Sequence, residues 1–137
     1  MGALGYEQAF RRYKAKLKNV NWSVCAETPE GELVISCWQH RLKMPERNGK
    51  WVYTDYLSRW SGNGNSELAE KLVKAFRDTQ PIKLIIAVPK NGDEIKKVES
   101  GIDGSKIKKD FFVRPEVMGQ IIEFDGENFV IEFQKSV

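Results

Sequence analysis

Apolar residues recur at two periods along this 137-residue chain, and the changes of period mark its elements. Over residues 5–18, Tyr6, Phe10, Tyr13 and Leu17 fall every three to four positions, with Arg11, Arg12, Lys14, Lys16 and Lys18 between them. That spacing predicts an amphipathic helix, which Asn19 and Asn21 end. Residues 22–27 and 32–42 read as two strands around Pro29-Glu30-Gly31, where Pro presets φ and Gly accepts a positive φ. A second turn, Pro45-Glu46-Arg47-Asn48-Gly49, carries the Asn-Gly hairpin signal and leads into a short strand over residues 51–53. Residues 54–65 predict irregular chain, because Gly62-Asn63-Gly64-Asn65 cannot hold a regular element cheaply. A helix then starts with Asn65 or Ser66 as N-cap and runs to about residue 78. Leu68, Leu72, Val73, Ala75 and Phe76 form its expected buried stripe.

Beyond Pro81, Leu84-Ile85-Ile86-Ala87-Val88 is an unbroken β-rich apolar run, which predicts a central strand buried on both faces. Residues 89–110 are polar and lysine-rich, with Gly92, Gly101 and Gly104, and read as a long excursion containing a short helical turn. Residues 117–124 and 129–133 flank Asp125-Gly126-Glu127-Asn128 and predict a C-terminal hairpin, with clear alternation at Phe129, Ile131 and Phe133. The order is α-β-β-β-α-β-(α)-β-β. It predicts a single α+β domain, over residues 1–137, with a mixed, mainly antiparallel sheet and two main helices.

Composition adds limits. Hydrophobic residues make up 41% of the chain and charged residues 30%, values of a globular protein rather than a disordered one. No apolar run approaches the roughly 18 residues that span a bilayer, and no signal-peptide core precedes the first helix. The expectation is a cytoplasmic protein without a membrane partner. Cys25 and Cys37 fall in apolar strand contexts and are expected to be free core thiols. With His40 the single histidine, a zinc site is not expected. Net charge is +3 but uneven: residues 1–20 carry five basic side chains against one acid, and residues 115–137 carry one against five. A basic side facing an acidic side fits a phosphate-bearing partner, or equally a solvated lysine face.

Catalytic motifs are missing. There is no phosphate loop with Lys-Ser/Thr, no Gly-x-Ser-x-Gly elbow and no His-Glu-x-x-His. No catalytic residue, metal site or cofactor is therefore predicted, and the domain is read as leaning away from enzymatic function. One nuclease-like pattern exists: Glu94-Ile95-Lys96 supplies a Glu-x-Lys pair, with Asp55 as the remote acid for a divalent metal. The stronger feature is aromatic. Trp38, Trp51, Tyr53, Tyr56 and Trp60 are interleaved with His40, Arg41, Lys43, Arg47, Lys50 and Arg59. Aromatic faces stack on bases and cations neutralise phosphates, so the interleaving suits nucleic acid. A half-buried aromatic core is the competing explanation.

The run Trp60-Ser61-Gly62-Asn63-Gly64-Asn65, with the helix and the strand after it, resembles the N-terminal modified-DNA-reading domain of methylcytosine-specific HNH restriction enzymes. The likeness spans roughly residues 22–90. It departs from that pattern in having Gly-Asn where the family has Arg-Asn, in Glu67-Leu68 where it has Tyr-Asn, and in lacking an HNH half. The resemblance implies a non-enzymatic module that reads modified or flipped bases, DNA foremost. Phosphates would meet Arg41, Lys43, Arg59 and the N-terminal helix, with His40 beside them. Trp38, Trp51, Tyr53 or Trp60 would stack a base, and Asn63 or Asn65 would bond its edge. The alternatives are a small-molecule or partner-protein binding domain with an aromatic-lined pocket, and a metal-dependent nuclease. The direction in which the aromatic side chains point separates them, and oligomeric state is left open.

Overall fold

In the computed structural model, residues 3–43 and 49–135 are described. Their elements are α1 (Tyr6–Arg12), β1 (Cys25–Glu27), β2 (Leu33–Trp38), β3 (Leu42–Lys43), β4 (Trp51–Tyr56), α2 (Asn63–Asp78), β5 (Ile82–Pro89), α3 (Gly92–Glu99), β6 (Lys109–Val113), β7 (Val117–Phe124) and β8 (Asn128–Lys135). Short 3-10 turns occupy Gln39–Arg41, Leu57–Arg59 and Gly104–Lys106. These three helices and eight strands among the described residues make the α+β fold, with one mixed, mainly antiparallel sheet. The strand order is β1-β2-β5-β7-β8-β4-β3, and only β2 and β5 run parallel. The Pro45–Asn48 part of the second predicted turn lies outside the described residues.

The apolar run after Pro81 does form the central strand. Ile82, Leu84 and Ile86 face one hydrophobic cluster, beneath α2, while Ile85 and Ala87 face another, beneath α1. Burial on both faces is what an unalternating apolar strand requires. Two strands divide the far edge of β5: β7 meets it only at Ile82, and β6 pairs along Ile85–Pro89. The sheet curls, so that the turn Gln39–Arg41 after β2 touches both β4 and β5. Phe129, Ile131 and Phe133 of β8 point inward, as their alternation predicts.

Several boundaries differ from expectation, each for a local reason. The first helix stops at Arg12 instead of near residue 18. Tyr13 turns inward to donate its hydroxyl to the Leu84 carbonyl, and Lys14 adopts φ 60°, reversing the chain so that Ala15 packs below. β4 continues to Tyr56, and the chain after it is a 3-10 turn rather than irregular. The Gly/Asn run is also helical: Gly62 is the N-cap of α2, three or four positions before the expected Asn65 or Ser66. Leu68, Leu72 and Ala75 form the buried stripe, but Val73 and Phe76 are exposed. They lie on the helix flank, where Phe76 meets Phe124 edge to face at 6.0 Å. The excursion over residues 89–110 holds a full helix, α3, and leads into a strand, β6. Cys25 and Cys37 are buried free thiols. No described helix is long and apolar enough to cross a membrane.

Candidate functional site

Four aromatic side chains from four separate segments, Tyr6, Trp22, Trp38 and Trp60, line one cavity of about 260 Å³. Tyr6 comes from α1, Trp22 from the connection to β1, Trp38 from the end of β2, and Trp60 from the approach to α2. Each is held by backbone geometry. The Tyr6 hydroxyl donates to the Ser23 carbonyl, tying α1 to the Trp22 segment. That segment is a tight turn, in which Asn19 Oδ1 accepts from the Asn21 amide at 2.8 Å and Ser23 Oγ accepts from the Asn19 amide at 3.0 Å. Gly64 lets the first turn of α2 approach it, since a Cβ there would overlap the Trp22 carbonyl oxygen. Asn65 Nδ2 donates to the carbonyls of Leu57 and Trp60, both at 2.6 Å, and so fixes the Trp60 backbone. On the opposite wall Gly101, at φ 85°, lets the 101–105 loop close onto the Arg59 carbonyl.

Below the rings the cavity narrows to a pocket of about 30 Å³ floored by Tyr53, Asp55 and Arg59. Asp55 and Arg59 form a buried two-pronged ion pair, Nε to Oδ1 at 2.8 Å and Nη2 to Oδ2 at 2.9 Å. Asp55 also accepts from the Tyr53 hydroxyl at 3.0 Å and the Tyr56 amide at 2.9 Å. Arg59 Nη1 donates to the Val98 carbonyl at 3.1 Å. Burial opposes the Arg59 charge, but the hydrogen bonds and charge of Asp55 outweigh it and raise the Arg59 pKa. The floor is thus internally compensated. Lys109 on the wall differs: it donates to the carbonyls of Gly104 and Ile107, at 2.6 and 3.1 Å, and burial lowers its pKa.

The residues expected to bind nucleic acid do not form one group. Trp38 and Trp60 are brought together at the cavity, with Arg59 at its base. Trp51 and Tyr53 lie in the core beneath α2, and the Trp51 ring is covered by the Arg114 guanidinium at 5.1 Å. His40 and Arg41 are engaged with one carboxylate, Glu99, the histidine at 2.9 Å and the arginine through two bonds of 2.6 and 2.9 Å. Lys43 and Asn63 are exposed, on β3 and at the start of α2, and do not line the cavity, and Asn65 is the backbone clamp described above. The nuclease candidates are likewise occupied. Glu94 lies on α3, where the Lys108 amide and Lys97 bond its carboxylate and hold its pKa down. Among the described residues no three His, Cys, Asp or Glu side chains group to hold a metal ion.

Sequence reasoning missed Tyr6, Trp22, Ser36 and Lys109 at this site. Tyr6 looks like an ordinary core position of α1, and Trp22 like the first residue of a strand. Their convergence is set by tertiary contacts over long chain separations, which no local pattern encodes. Chemically the cavity offers flat apolar faces and free polar groups. The indole N–H groups of Trp22, Trp38 and Trp60 and the Ser36 hydroxyl bond to no other described residue. Among the described residues Glu67 Oε1 is the one buried side-chain polar atom without a hydrogen-bond partner, so these unbonded groups are not buried. Such a site stacks on a ring and bonds its edge. Comparison with family models, with curated proteins and with solved structures finds no match to this chain.

Proposed function

We propose that this chain is a non-enzymatic binding domain whose cavity holds one small, flat ring system with a polar edge. The observation that carries the proposal is the convergence of Tyr6, Trp22, Trp38 and Trp60 on a single cavity with unused donors in its walls. At about 260 Å³ it lies just below the roughly 300 Å³ at which pockets for drug-sized ligands begin, which suits one ring system rather than an extended chain. The Asp55–Arg59 pair supports binding over catalysis, because both groups are engaged by each other, by neighbouring backbone and, at Asp55, by the Tyr53 hydroxyl and Arg41. Aromatic cages also take quaternary ammonium groups. Lys109 and Asp103 both line the cavity, so its walls carry one charge of each sign, and the choice between a neutral ring and a cation falls to the test below. A nucleobase offered by a nucleic acid strand is a flat ring of the same kind, so the DNA-reading function that the sequence resembles is the second reading.

The test is a tryptophan-fluorescence titration with a panel of flat heteroaromatic fragments, with choline as the cationic control. Several fragments are expected to quench and choline is not. Trp60→Ala is expected to weaken the binding fragments by about 1–3 kcal/mol, the range for loss of one stacking ring. Phe76→Ala, on the far flank of α2, is expected to change nothing. Failure of every fragment to bind, or equal binding by Trp60→Ala, sinks the proposal.

A further inference from the structure

A second depression, of about 300 Å³, lies beside the aromatic cavity and shares Val20 as a wall. It is lined by Arg11, Lys14 and Lys16 against a single acid, Glu7. Glu7 reaches only Arg11, at 3.6 Å. Lys14 and Lys16 make no hydrogen bond or ion pair with another described residue. Their placement follows from the chain reversal after α1. From Tyr13 onward burial alternates, with Tyr13 and Ala15 buried and Lys14 and Lys16 exposed, and both lysines line the depression that Val20 joins to the cavity. Lys14 holds φ 60° where Gly or Asn would sit with less strain. It ends α1 as Thr79 ends α2, with the Lys14 and Ala15 amides bonded back to the Arg11 and Phe10 carbonyls.

From this juxtaposition we infer that the ring bound among the tryptophans carries a phosphate, which lies in the Lys14–Lys16 depression; the ligand is a nucleotide. The inference rests on the ring-binding reading above and adds the anionic half. Two compact ammonium groups beside an apolar ring site match a phosphate of charge near −2 on a base, whereas the cavity walls supply the donors for the base edge. A free nucleotide and a nucleotide within a strand share this chemistry, and the experiment separates them.

Tryptophan fluorescence of the full chain is titrated with adenosine, cytidine, their 5′-monophosphates, inorganic phosphate and a short single-stranded oligonucleotide. The monophosphate is expected to bind about tenfold more tightly than its nucleoside at low salt, with the gap closing as salt rises. Lys14→Gly with Lys16→Ala is expected to close that gap and leave the nucleoside affinity unchanged. Glycine suits φ 60°, so this variant keeps the reversal. Lys16→Glu alone is expected to make the monophosphate bind more weakly than the nucleoside. Phosphate competing weakly with the monophosphate, but not with the nucleoside, supports the same division of the site. Equal affinity for nucleoside and monophosphate, or a gap that survives both variants, overturns the phosphate half and leaves ring binding intact. If nucleosides and nucleotides are silent while flat fragments still bind, the nucleotide class is wrong and ring binding stands. Silence from fragments and nucleotides alike overturns both. An oligonucleotide that outbinds the monophosphate by more than its count of bases identifies a strand as the source, and equal binding per base identifies the free nucleotide.

Discussion

Asp55 is the residue on which the floor of the cavity depends. Its carboxylate compensates Arg59, orients Tyr53 and receives the Tyr56 amide, all within a buried environment. Removing one partner of a buried pair leaves the other charged and unsolvated, which costs about 3–5 kcal/mol, while replacing both with apolar groups is often close to neutral. Asp55→Ala is therefore expected to destabilise the fold by about that amount in urea denaturation, and Asp55→Ala with Arg59→Met to recover much of it. Recovery would show that the pair supports shape, whereas a double variant as unstable as the single would mean that the loss falls on the other partners of Asp55, the Tyr53 hydroxyl and Arg41, whose Nε lies 3.6 Å away. Asp55 was legible in the sequence only as a candidate metal ligand. The motif gave its chemistry, a remote acid in chain expected to be irregular, but neither the strand β4 that carries it nor its partner, because Arg59 reaches back from the 3-10 turn that follows.

At the scale of elements, the edge strand β1 is three residues long, and a charge cluster ties it to α2. Glu27 accepts from Lys71 at 2.6 Å, Lys74 at 2.8 Å and Gln80 at 3.0 Å. The Lys71 hydrogen bond, then that of Lys74, lowers the Glu27 pKa from 4.5 to about 2. A carboxyl whose folded pKa lies below its unfolded value stabilises fully above the unfolded one. That contribution is lost as pH falls from about 4.5 towards 2. Glu27→Gln is expected to flatten this part of the stability profile, so that wild type loses more stability than the variant between about pH 5 and about pH 3, measured by urea denaturation. Identical losses would mean that the cluster contributes nothing. The strong periodic elements, β5, α2 and the β7–β8 hairpin, were readable because one face or both faces are apolar. The start of α2 was not, since Gly62-Asn63-Gly64-Asn65 has low helix propensity and is held by tertiary contacts: Gly64 fits under Trp22, and Asn65 clamps two carbonyls. Trp60 was singled out by its place in the aromatic, Gly/Asn-rich run, whereas Tyr6 and Trp22 are distant in sequence and join it only through the fold.

Across the whole molecule the sheet separates a large cluster under α2 from a smaller one under α1, and the aromatic cavity opens where α1 meets the rest. A helix of seven residues has no stability of its own and depends on Ala9, Phe10 and the Tyr13 hydroxyl to stay docked. Docking of α1 is thus expected to be a lower-energy opening than global unfolding, with its amides exchanging faster than those of β5, where Leu84, Ile85 and Ala87 are buried between both clusters. Tyr6 brings that weakly held helix into the cavity wall, so the proposed ring binding is expected to require a docked α1. At a ligand concentration about 100 times Kd, linkage stabilises the bound state by about 2.7 kcal/mol, which slows exchange through α1 opening by about 100-fold. Hydrogen exchange followed with and without a binding fragment is expected to show that slowing in residues 6–12. If tryptophan fluorescence reports saturation while α1 exchanges as fast as before, Tyr6 is not part of the occupied site, and the ligand sits among the tryptophans alone.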